Sequence, residues 1–110
     1  MITRYALFEG RVHDGQTDAF RAAVMAELLP VWKTLPGARA IRVAFADSRD
    51  EGAPEFPLIL AIDFADMTAV DHFLAHPARL QGRAATDDVL ARFFNGRIHH
   101  HISTAHAIMP

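Results

Sequence analysis

Strand-like and helix-like segments alternate in the order β-α-β-β-α-β, which predicts an α+β fold: a four-stranded antiparallel sheet with helices on one face. Three features carry that prediction. Phe20, Val24, Leu28, Val31 and Leu35 recur at spacings of four, four, three and four, one stripe of a helix. Leu58 to Phe64 is an apolar run rich in β-branched and aromatic residues, as in a buried strand. Breakers divide the segments at His13-Asp14-Gly15-Gln16, at Pro36-Gly37, across Asp47–Pro57 and at His76-Pro77.

The first strand is expected over Thr3–Val12, with Tyr5 and Leu7 on one side and Ala6, Phe8 and Val12 on the other. Thr17 suits an N-cap, with Asp18 in the first turn where the helix dipole favours an acid. Pro30 interrupts the stripe at a cost of about 3 kcal/mol in an ordinary helix interior, so a kink or an early end is expected there. Ala38–Ala46 reads as the second strand, Ile41, Val43 and Phe45 facing one way and Arg42 the other. The segment Asp47–Pro57, with its prolines, glycine and acids, reads as a solvated hairpin loop before the third strand at Leu58–Phe64. Asp66 then caps a short helix carrying Val70, Phe73 and Leu74 on one face. Pro77 disfavours helical geometry at His76, so the chain bends. Beyond it, Leu80 and Ala84 continue a helical pattern that Gly82 weakens. Thr86-Asp87-Asp88 looks like a fresh start leading into Asn95-Gly96, with Arg97–Ile108 as the last strand. The order is the split βαβ, or ferredoxin-like, arrangement.

At 110 residues the chain is expected to be one domain, 1–110. Its 51% hydrophobic content is rich for so small a monomer, and a second buried surface explains it. A sheet covered on one face leaves the other exposed, and apolar residues there call for a partner. A two-fold homodimer lets one patch bury itself against its own copy. The net charge of -2 gives no basic bias toward nucleic acid. With no cysteine there is no thiol chemistry. No stretch has the length of a signal peptide or membrane span, so a cytoplasmic protein is expected.

Phe64, Asp66, Phe73, His76, Pro77 and Arg79 form a strand ending, a capped short helix with an aromatic, and a His-Pro stop. This run resembles the stress-responsive α/β-barrel (Dabb) family, within the dimeric α+β barrel superfamily. The resemblance implies a homodimer whose two sheets face each other and enclose a cavity, with His76 near its mouth. Relatives that cyclise polyketides use the second histidine of the motif, assisted by a tyrosine. Here Arg79 stands at that histidine, Phe73 where an aromatic hydroxyl is needed and Leu58 where another polar group belongs. Arginine stays protonated and is no ordinary base, so cyclase chemistry is not carried over. Arg79 is expected to clamp a carboxylate or enolate instead, or to stand as a solvated cation.

Chemistry is sought in the histidines. His76 is the foremost catalytic candidate. On the last strand, alternation puts His99, His101 and Ser103 on one face and Ile98, His100 and Ile102 on the other. His99 and His101 are candidates for acid–base work in a cavity, or else strand histidines at an interface. His72 precedes His76 by one helical turn, a metal-compatible spacing, but the Glu of a zinc-protease motif is missing and no metal is expected. Asp63, inside the third strand, is either a base in the cavity or the partner of an arginine at its rim. Tyr5 can lend a hydroxyl, Phe73 a wall, and Trp32 packing. With no phosphate loop, nucleophile elbow or dinucleotide fingerprint, no cofactor is expected. Two functions remain. One is a cofactor-independent enzyme using proton transfer, cyclisation or oxygenation on a small hydrophobic or aromatic carbonyl compound. The other is a non-catalytic barrel that binds an apolar molecule or serves a stress role.

Overall fold

The computed structural model describes all 110 residues, Met1–Pro110. Strand β1 (Ile2–Val12) leads through a turn into helix α1 (Thr17–Ala23), a π-helical turn (Val24–Leu28) and helix α2 (Leu29–Trp32). Strands β2 (Ala40–Phe45) and β3 (Leu58–Phe64) follow, then helices α3 (Met67–Ala75) and α4 (Ala78–Phe93), and strand β4 (Phe94–Thr104). The sheet is antiparallel throughout, in the order β2-β3-β1-β4. The fold is the α+β, ferredoxin-like arrangement, and no helix is long and apolar enough to cross a membrane.

Alternation sorts the sheet's two sides. Ala6 and Phe8 of β1, Leu58, Leu60, Ile62 and Phe64 of β3, and Ile98 of β4 meet the helical residues Phe20, Val24, Leu28, Trp32, Val70, Phe73 and Val89 in one core. Register confirms the layer, since Ala6 stands opposite both Leu60 and His100, and Arg4 opposite both Ile62 and Ile102. The other side carries Thr3, Tyr5, Leu7 and Glu9 with Ile59, Ala61, Asp63, His99 and His101, and no helix lies over it.

Local details differ from expectation for physical reasons. Gln16, not Thr17, precedes the first helical residue, and it caps without a side-chain bond. Pro30 neither stops the helix nor bends it alone. The preceding turn widens, so that the Leu29 N–H reaches back five residues to the Val24 carbonyl. A π turn thus absorbs the missing donor and the ring's clash with the turn before it. The expected break near Gly82 is also absent, because α4 runs unbroken to Phe93. Gly82 is buried, and a Cβ there would come within 3.3 Å of Leu35 Cδ2, so the glycine serves close approach rather than a stop. Asn95-Gly96 lies within β4 rather than ending a helix. Gly96 pairs with Gly10, and a Cβ on either would lie 2.1 Å from a backbone oxygen of the other strand. Asp66 does cap α3, accepting from the Ala69 N–H at 2.9 Å, and Pro77 does separate α3 from α4.

Candidate functional site

A cavity of about 60 Å³ lies between the sheet and helices α2, α3 and α4. Its walls are apolar: Ala6 and Phe8 from β1, Leu60 and Ile62 from β3, Ile98 from β4, with Trp32, Leu35 and Phe73 above. Into this space come Arg4 from β1, Arg79 and Arg83 from α4, and His100 from β4. Strand parity puts Arg4 and His100 on the core side at the end of the sheet where the helices leave room. Arg79 and Arg83, four residues apart on α4, share a helix face and close the space from above.

The electrostatics are one-sided. No carboxylate lines the cavity. Arg4 has no ion-pair partner, and its guanidinium lies 5.4 Å from the centre of the Phe73 ring, a cation–π contact. Burial, then the charges of Arg79 and Arg83, lower its pKa. Arg79 donates from Nε to the Leu74 carbonyl at 3.0 Å, which fixes the base of the fork and leaves both terminal nitrogens without a protein acceptor. Arg83 is paired with Asp87 at 2.8 Å on the exposed side of α4. His100 is exposed to solvent at the edge of this space, yet desolvation, followed by the charges of Arg4, Arg83 and Arg79, pushes its pKa down to about 4. At neutral pH it is an uncharged imidazole, able to accept or donate one hydrogen bond. On the roof, Trp32 donates from Nε1 to Thr86 Oγ1 at 3.2 Å, and Thr86 donates in turn to the Gly82 carbonyl at 2.8 Å, tying α2 to α4.

The residues singled out from sequence fall in three places. Phe73 and Arg79 line the cavity. His72 and His76 are exposed on and just after α3, their rings 5.8 Å apart, and His76 Nδ1 accepts from the Ala78 N–H at 3.0 Å. That bond satisfies a free donor at the start of α4, a capping role. Tyr5, Asp63, His99 and His101 point to the uncovered side of the sheet. There Asp63 is buried, accepts from Thr3 Oγ1 at 2.7 Å and pairs with Arg42 at 3.0 Å. His99 Nε2 lies 2.7 Å from Glu9 Oε1, and this bond lowers the Glu9 pKa. So in the single chain the cavity, open on one side, lies beneath the helices and not on the uncovered side, and the eight residues do not converge. Sequence reasoning passed over Arg4, Arg83 and His100. The available signal was parity: an arginine and a histidine in phase with Ala6, Phe8 and Ile98 have to face the core side.

A second cleft, of about 540 Å³, opens between the β1–α1 turn and the loop before β3. Its arginines are already engaged, Arg11 and Arg49 with Glu55 and Arg21 with Asp47. No group of three His, Cys, Asp or Glu side chains is arranged to hold a metal ion.

No protein-family model matches this sequence, and no curated protein matches it. Solved structures do match in fold. An ethyl tert-butyl ether D family protein from Bacillus halodurans is 16% identical over 96% of this chain and 100% of its own, with a TM-score of 0.68. A dimeric ferredoxin-like protein of unknown function from Jannaschia sp. CCS1 is 19% identical over 94% of this chain and 98% of its own, at a TM-score of 0.61. SnoaB from Streptomyces nogalater, described as a cofactor-independent oxygenase, is 21% identical over 99% of this chain and 96% of its own, at 0.58. At identities this low the likeness establishes a shared architecture: the chain has the ferredoxin-like α+β fold of these proteins.

Proposed function

We propose that this is a homodimeric α+β barrel protein of the Dabb kind, acting without a cofactor on a small apolar or aromatic carbonyl compound in the helix–sheet cavity. The observation that carries this reading is the cavity itself, apolar-walled, with Arg4, Arg79 and His100 converging on it. Pockets of that make-up orient an apolar ligand by a few polar groups. A proton removed from the carbon beside a carbonyl leaves an enolate, and guanidinium groups aimed at the developing oxyanion stabilise it. His100, uncharged at neutral pH, lines the same cavity and is its proton acceptor. The fold shared with a cofactor-independent oxygenase is consistent with such an anion passing on to oxygen. At about 60 Å³ the space takes only a handful of water-sized groups. The compound is therefore a single ring or short chain rather than a fused polycycle.

Tyr5, Leu7 and Ile59, half-buried on the uncovered side of the sheet around the buried Ala61, are the surface on which the two copies pack. His99, His101 and Asp63 then belong to the interface, and acid–base work passes to His100.

One observation favours a second reading, a barrel that binds without turnover. A pKa of about 4 makes His100 a weak base. Hydrogen–deuterium exchange at the carbon beside the carbonyl of acetophenone, a single-ring ketone, followed by NMR in D₂O, separates the two. The enzyme reading expects exchange above buffer that drops about a hundredfold in His100→Ala. Exchange at the buffer rate, with acetophenone still altering Trp32 fluorescence, establishes the binding reading instead.

A further inference from the structure

The guanidinium groups make a demand that a neutral ketone does not meet. Arg4, Arg79 and Arg83 bring three positive charges to one small space, and only Arg83 has a carboxylate partner, Asp87. Two cations are left over. The other elements that pack there bring no compensation: α2 contributes Trp32, α3 contributes Phe73, and β3 contributes Leu60 and Ile62. Of the seven arginines elsewhere in the molecule, Arg11, Arg21, Arg42, Arg49, Arg92 and Arg97 each lie within 4 Å of an acid, and the seventh, Arg39, is exposed to solvent. The half-buried arginines that lack an acid are Arg4 and Arg79, and both line the same cavity.

Partly buried cations without counter-charge are costly unless an anion reaches them. Both are also held in place before any ligand arrives. The Phe73 face supports the Arg4 guanidinium, and the Leu74 carbonyl holds Arg79 by Nε, which leaves a two-pronged edge of the kind that takes a planar carboxylate. Burial first, and then these same arginines, hold down the basicity of His100 beside them.

We propose that the cavity recognises an ionised carboxylate on a small apolar body, the carboxylate held between Arg4 and Arg79 and the body against Phe73, Trp32 and Leu60. The inference rests on the reading that this cavity is the ligand site, and it narrows the ligand to an acid, such as an aromatic acid or a keto acid. His100 offers its one hydrogen bond to a second oxygen on the same molecule.

Trp32 is the chain's one tryptophan and lines the cavity, so its fluorescence reports occupancy. Benzoate and its neutral isostere benzamide are titrated into the full chain at low ionic strength, with wild type, Arg79→Gln and Arg4→Gln compared. The expected result is that benzoate binds the wild type at least about tenfold more tightly than benzamide, the equivalent of one charge-assisted hydrogen bond. Either substitution should remove most of that preference for benzoate. Equal affinity for the two probes in the wild type overturns the carboxylate inference and leaves the cavity reading standing. Failure of both probes to alter Trp32 fluorescence overturns the two together. The wild-type comparison decides the matter even where a substituted chain does not fold. Arg83→Gln serves as an internal contrast, because Asp87 already answers that charge. A loss of preference there equal to that of Arg79→Gln would overturn the assignment of the two unpaired arginines.

Discussion

Replacing Asp63 by alanine tests the main polar contact of the uncovered sheet face. The Asp63 side chain is 7% exposed, and Thr3, which donates to it at 2.7 Å, is wholly buried. Losing a hydrogen bond to an ionised group, and leaving the Thr3 hydroxyl without an acceptor, costs about 1.5–3 kcal/mol. The Arg42 side chain is 58% exposed, so its ion pair adds no more than a few tenths of a kcal/mol. The expected loss is about 2 to 3 kcal/mol, or a fall in Tm of about 10 °C or more for a chain of this size. Urea denaturation at one fixed protein concentration measures it. Acid supplies a second check. Burial alone would raise the Asp63 pKa, but the bonds from Thr3 and Arg42 and the charges of Arg42 and the N-terminus outweigh it and hold it below the ordinary value. A carboxylate lowered on folding contributes stability in full above its unfolded pKa, near 4, and loses it as pH falls through the folded value. The gap between wild type and Asp63→Ala should therefore be constant from pH 7 to about 5 and close in stronger acid. In a cycle with Thr3→Val, the two substitutions should fall short of additivity by about 1 kcal/mol. A variant within about 0.5 kcal/mol of wild type at pH 7, or a gap that persists in acid, would refute the reasoning.

Two further expectations concern the frame of the cavity. Thr86→Val removes the acceptor of the buried Trp32 Nε1–H and should cost about 1–2 kcal/mol in urea denaturation, with Trp32 emission changed in the folded state. Gly10→Ala places a Cβ 2.1 Å from the Asn95 carbonyl oxygen at a φ of +151°, and should cost at least about 2 kcal/mol by the same measurement.

The layer order and the core were legible because each rests on periodicity, which one sequence displays. The stripe from Phe20 to Leu35 and the alternation around Leu60 each state which side is buried. What was missed depends on where two distant segments meet. Gly82 breaks a helix by propensity, but the nearness of Leu35 is a tertiary fact and it prevails. Asn95-Gly96 has the chemistry of a turn, yet it faces Gly10 across β1 and β4. The site was half legible. Arg79 and Phe73 lie in the cavity, whereas attention to histidine as a residue type favoured His76, His99 and His101 over His100. Parity already separated His100 from its neighbours; what it lacked was the knowledge that Arg4, nearly a hundred residues away, shares that side.

Three successive imidazoles on β4 look interchangeable, and only the alignment of that strand decides which of them meets the arginines. Sliding it by one residue would exchange His100 for His99 or His101 and turn the inner ring outward. The alignment is anchored where Gly10 and Gly96 cross, since any other residue brought to that crossing would drive a side chain into its neighbour's backbone. Two residues with no functional group of their own thereby select the ring turned toward the cavity, from a point four positions along the strand.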